Sequence, residues 1–156
     1  VVQETFPFYE QVIPERFALT ARIRSSDLSY HIAQSQEHEF SEILAFEMLA
    51  TIETIHPKFK RHKGEDLHVS LTGSGRLSHN AYRENDANAI YLIDLRAQSR
   101  YLSGVIPSDT IFALPALIEA GHIGYLVVEF EPPRQGRGLV RSIDFVSEAK
   151  LSDYRP

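Results

Sequence analysis

The hydrophobic pattern changes period several times along the chain. In "RFALTARIR", Phe17, Leu19, Ala21 and Ile23 point one way, and Arg16, Ala18, Thr20, Arg22 and Arg24 point the other. A period of two predicts a strand with one wet face. The period lengthens in "SQEHEFSEILAFEMLATIETIHP". There Phe40, Leu44, Met48, Ile52 and Ile55 recur at helical spacing, and Ile43 and Leu49 widen the stripe. This predicts a long amphipathic helix over about residues 38–55. Ser35 would cap it, Glu37 and Glu39 would sit at the positive end of its dipole, and Pro57 would stop it.

Alternation returns in "LHVSLTG", with Leu67, Val69 and Leu71 set against His68, Ser70 and Thr72. "AIYLIDLRA" and "GYLVVEFE" also read as strands, the first apolar enough for a central position. "PSDTIFALPALIEAGH" predicts a short helix near residues 108–120, capped by Ser108 or Asp109 and ended by Gly121. Pro115 fits it best if the helix starts near Leu114. Residues 1–14, punctuated by Pro7 and Pro14, read as an irregular arm. The order is strand, helix, strand, strand, short helix, strand and one further element. It predicts a single α+β domain: a largely antiparallel sheet with the long helix packed on one face.

Composition narrows the chemistry. The 156 residues suit one domain, and 43% hydrophobic with 24% charged is ordinary globular composition. There is no cysteine, which excludes disulfides, cysteine nucleophiles and thiolate metal sites. No apolar run is long enough to span a membrane and no signal peptide heads the sequence, so the expectation is a cytoplasmic protein with no membrane partner. A first residue of Val1 rather than Met leads to the expectation of a domain excised from a larger protein. The net charge is −5, yet residues 1–57 carry nine acids against three bases, and the remainder twelve against thirteen. A generic polyanion binder would be more basic overall, but the second half can still carry a basic face.

Two segments supply that face. "KFKRHK" provides Lys58, Lys60, Arg61 and Lys63, with Phe59 placed to stack on a base. "PPRQGRG" provides Arg134, Gln135, Gly136, Arg137 and Gly138, with Arg141 just beyond. This second stretch has two readings. As "GYLVVEFEPPRQGRGL" it resembles the acyl-CoA-binding motif of acyl-CoA-dependent N-acetyltransferases, a strand leading into a glycine loop at a helix start. That resemblance covers about 16 residues and implies a pyrophosphate held by backbone N–H groups. Alternatively, residues 125–131 and "LVRSIDFV" both alternate, and the prolines and glycines between them make a turn. The β-branched and aromatic content after the turn favours this hairpin.

The seven histidines are scattered, with no i, i+4 pair and no HExxH, so no metal site is expected. "LHVSL" resembles one half of the paired His-x-Ser/Thr signature of the 2H phosphoesterases, which implies a histidine acting as acid or base on a phosphodiester. The second copy is not clearly present, since "YHIAQ" and "GHIGY" lack the hydroxyl. A looser group remains: His68, Ser70, Arg76, His79 and Arg83, around the small residues of "TGSGR". His68 or His79 would move protons, and Arg76 or Arg83 would steady the phosphorane charge. Three functions follow: a binding or specificity module for an anionic ligand, nucleic acid or protein; a histidine-dependent phosphodiester hydrolase; and an acyl-CoA-dependent transferase. No complete catalytic signature is present, so the module is the leading expectation, and no cofactor is implied.

Overall fold

In the computed structural model, residues 17–34, 36–37, 40–74, 91–96 and 98–154 are described. Seven strands close into a barrel: β1 (Phe17–Gln34), β2 (Phe40–Ile55), β3 (Asp66–Ser74), β4 (Tyr91–Arg96), β5 (Ser99–Pro107), β6 (Tyr125–Phe130) and β7 (Arg137–Val146). Their order round the barrel is β1-β2-β3-β5-β4-β7-β6. Each neighbouring pair is antiparallel except β3 and β5, where His68 lies beside Tyr101 and Leu71 beside Gly104 in a parallel ladder. Closure leaves no open sheet edge along the paired stretches, which is how small β proteins avoid templating their own aggregation.

The predicted long helix over 38–55 is not formed, and the α+β architecture built on it is overturned. Phe40–Ile55 is β2, a strand paired with β1 on one side and β3 on the other. Its residues satisfy two periods at once. Leu44, Phe46, Met48, Ala50 and Ile52 are all buried, whereas Glu47 is exposed and Leu49 and Thr51 only half-buried. That is period two. The helical stripe needed Leu44, Met48 and Ile52 but left Phe46 and Ala50 without a place in the core. Strand pairing buries all five, so tertiary burial overrides the helix propensity of Glu, Leu, Ala and Met.

The barrel is filled by its inward side chains. Phe17 and Leu19 from β1, Leu67 and Leu71 from β3, Ile93 and Leu95 from β4, Leu102 from β5 and Leu126 from β6 are essentially inaccessible. β1 serves a partner along each edge, and its ladder with β2 shifts register between Thr20 and Ala21 and again between Ile23 and Ser25. Phe17–Arg22 pair with β6 along one edge, and from Leu19 to Gln34 the other edge pairs with β2 as a long hairpin. Burial falls along β1 as it leaves the barrel, and Tyr30 and Ile32 are about half exposed.

One end of the barrel is closed by α1 (Ser108–Glu119), where the sequence places a helix. Ile111 and Leu114 are its buried residues. A Cβ on Gly73 would stand 3.2 Å from Ile111 Cδ1 and 2.9 Å from Leu44 Cδ2, so this glycine sits where helix and sheet approach closely. The helix runs from Ser108 with Pro115 inside it rather than starting near Leu114. Gly121, at a φ of +79°, follows its C-terminus and donates to Ile118 O at 3.1 Å. A second, four-residue helix, α2 (Glu148–Leu151), follows β7. No described helix is long and apolar enough to cross a membrane.

Candidate functional site

Strand directions decide which loops meet. β1, β3 and β5 begin, and β2, β4 and β6 end, at the barrel end opposite α1. This rim therefore carries the β2–β3 connection, the β4–β5 turn and the β6–β7 hairpin. Both basic segments singled out in the sequence lie on it.

The first segment folds as a 3₁₀ turn, Pro57–His62. His56 caps it: Nδ1 accepts from the Lys58 N–H at 3.2 Å. The His56 ring stacks on Phe17 with centroids 4.1 Å apart, and Phe59 meets Phe17 edge-on at 6.2 Å. Phe59 is 5% exposed, so it anchors the turn to the core and is not available to stack on a base. Its anchoring leaves Lys58, Lys60, Arg61 and Lys63 exposed, with the Arg61 guanidinium 5.8 Å from the Phe59 ring centroid.

The second segment is a hairpin turn. Arg134 and Arg137 exchange backbone hydrogen bonds of 2.8 and 3.0 Å, and Gln135 and Gly136 take φ values of 53° and 80° between them. Two positive φ values mark the primed turn that matches strand twist. A Cβ on Gly136 would lie 2.7 Å from Arg96 Cγ, so the glycine answers both to conformation and to space. Gly138 is buried within β7, and a Cβ there would lie 3.0 Å from Glu131 O. The strand continues to Val146. The helix start that a pyrophosphate cradle needs is replaced by a strand.

Most acids on this rim are already engaged. Asp94 takes Arg96 at 2.6 Å and Arg137 at 3.4 Å. Hydrogen bonding from Arg96, foremost, holds its carboxyl below the usual range, and the same contact holds the Arg96 guanidinium above its own. Glu65 takes Arg100 at 2.6 Å, with the buried His62 ring 3.7 Å away. Asp66 takes Arg24 at 2.8 Å, and Glu131 takes Arg141 at 3.4 Å. By contrast Lys58, Lys60, Arg61, Lys63 and Arg134 have no carboxylate partner among the described residues.

The histidine-centred group is not assembled among the described residues. His68 is exposed on the outer face of β3, and Ser70 Oγ donates to Glu47 Oε1 at 2.7 Å. Arg76, His79 and Arg83 lie outside the described residues. No group of three or more metal-ligating side chains occurs among the described residues.

A feature that the sequence did not signal lies on the outer wall beside the basic rim. After β7 the chain turns back along the barrel. Ser147 caps α2, with the Lys150 N–H 3.3 Å from its Oγ, and Leu151 packs on Val127 and Val146. Asp153 and Tyr154 then face Thr20, Thr54, His56 and Pro57 across a cleft of about 480 Å³. Its residues come from β1, β2, β6 and the tail, so no local motif could reveal it. A comparison with known proteins finds no family model, no curated protein and no solved structure that matches the chain.

Proposed function

We propose that the protein is a binding module whose basic rim takes a polyanion, single-stranded nucleic acid being the class that fits best. One observation supports this most. The barrel brings two basic segments, far apart in sequence, to one end and leaves five of their cations without a carboxylate partner among the described residues. Loop-borne, solvated Lys and Arg at a rim track a phosphate backbone without desolvation cost. Because Phe59 is buried, recognition rests on charge and not on base stacking, so it is insensitive to sequence and sensitive to salt.

Fluorescence anisotropy of a labelled 12-nucleotide DNA single strand tests this at about 50 mM salt, where phosphate contacts are strongest. The triple variant K60E/K63E/R134E changes three exposed side chains that hold no ion pair among the described residues. It is expected to bind at least tenfold more weakly than the parent. Equal affinity of parent and variant, or no binding by the parent, overturns the reading.

A further inference from the structure

The cleft under the C-terminal tail differs from the rim in every respect that bears on a ligand. Its volume, about 480 Å³, falls within the range of about 300–1,000 Å³ typical of small-molecule sites. Much of its wall is apolar: Ala18, Ile55, Pro57 and Val127. The Thr20 and Thr54 hydroxyls on that wall are already bonded to each other at 2.6 Å, so they place little demand on an occupant. The His56 imidazole accepts at Nδ1 and is stacked on Phe17, so its orientation is fixed.

Among the described residues no Lys or Arg lines the cleft, whereas two carboxylates, Glu129 and Asp153, do. Neither forms an ion pair among the described residues. The Tyr154 phenol stands in a negative field to which these two carboxylates contribute least. The negative charge of Asp144, foremost, holds its pKa above the ordinary value, with burial, a hydrogen bond to Asp144, and the charges of Asp153 and Glu129 adding to it. An apolar wall beside carboxylates with no cation partner among the described residues, and an aromatic ring, is complementary to one kind of molecule.

We propose that this cleft binds a small organic cation, a protonated primary amine on an apolar body, with the ammonium held by Glu129 and Asp153 and the body against Ala18, Ile55, Pro57 and Val127. The Tyr154 ring adds a face for the cation. The site does not depend on the polyanion reading, since it uses none of the rim cations.

Calorimetric titration at pH 7 with three matched probes tests it: phenethylammonium, 2-phenylethanol and phenylacetate. Phenethylammonium is expected to bind at least tenfold more tightly than either of the others. In E129Q/D153N its affinity should fall to that of 2-phenylethanol, and in A18F, which fills the cleft, its binding should be lost. Thermal unfolding establishes that each variant is folded, and if one is not, the ranking of probes on the unaltered protein decides. Equal binding of the three probes, no binding of phenethylammonium, or undiminished binding by a folded E129Q/D153N overturns the proposal.

Discussion

The basic rim and the tail-covered cleft sit side by side on one barrel and are built in opposite ways. The rim is local: each cation belongs to a short turn, and its neighbours in sequence place it. Phe59 pins one turn from below, and the positive φ values of Gln135 and Gly136 shape the other. The cleft is non-local, since its lining comes from β1, β2, β6 and residues beyond α2. The rim exposes positive charge on its turns, whereas the cleft sets an apolar wall beside negative charge. Side chains that turns hold out in water suit an extended, charged partner. A concave site needs the whole fold to be correct before it exists.

The comparison makes the strongest demand on β2, whose Thr54 and Ile55 line the cleft and whose end launches the basic turn. Phe46→Ala is expected to cost about 3–5 kcal/mol, because a fully buried aromatic is lost from the barrel interior. Its neighbour on the outer face, Glu47→Ala, should cost no more than about 1 kcal/mol, the value of one exposed hydrogen bond. Urea unfolding of both checks this. A helix over the same residues would reverse the emphasis, since Phe46 lies off its apolar stripe.

A smaller effect separates the rim's shape from its charge. Gly136→Val forces a β-branched residue to a φ of 80° against Arg96. It should cost roughly 1–3 kcal/mol in urea unfolding, and the oligonucleotide affinity of the rim should weaken while phenethylammonium binding is unchanged. The smallest effect concerns Asp94, which is occupied by Arg96 and Arg137. Its folded pKa is depressed, so the carboxylate adds stability above its unfolded value, and that stability is lost as pH falls through the folded value. Asp94→Asn should therefore lower stability at neutral pH by up to about 1 kcal/mol. The deficit should close as the solution is acidified below the ordinary carboxylate range, which melting curves against pH would show.

Legibility in the sequence followed the same division. Alternation in "RFALTARIR", "LHVSLTG", "AIYLIDLRA" and "GYLVVEFE" announced strands that form, and Gly121 announced where α1 ends. The hairpin after residue 131 was readable from its turn residues and the strand-like pattern beyond them. The basic segments were readable as charge, but only the strand directions place them on one rim. β2 was misread because its apolar residues fit both 3.6 and two, and the choice is made by partners far away in sequence. β5 (Ser99–Pro107) was missed altogether: Gly104 interrupts its buried face, and its ladder with β3 is parallel. The second half of β1 alternates Leu28, Tyr30 and Ile32 against Asp27, Ser29 and His31, a weaker pattern that its pairing with β2 completes. The cleft left no trace in the sequence, as His56 reads only as one of seven scattered histidines, and Tyr154 as one aromatic near the end of the sequence.

The measurement that tests the account most directly is a pair of titrations, each run at 50 and 200 mM salt: the labelled 12-nucleotide strand and phenethylammonium, each against the unaltered protein. Three or four phosphate contacts with a single strand imply a drop of roughly 20- to 50-fold in oligonucleotide affinity over that range. The amine carries a single charge and takes much of its affinity from the apolar wall, so it should change by less than about threefold. Oligonucleotide binding that ignores salt, or amine binding that falls with it as steeply, would contradict the division of the barrel into a charged rim and a cleft with an apolar wall.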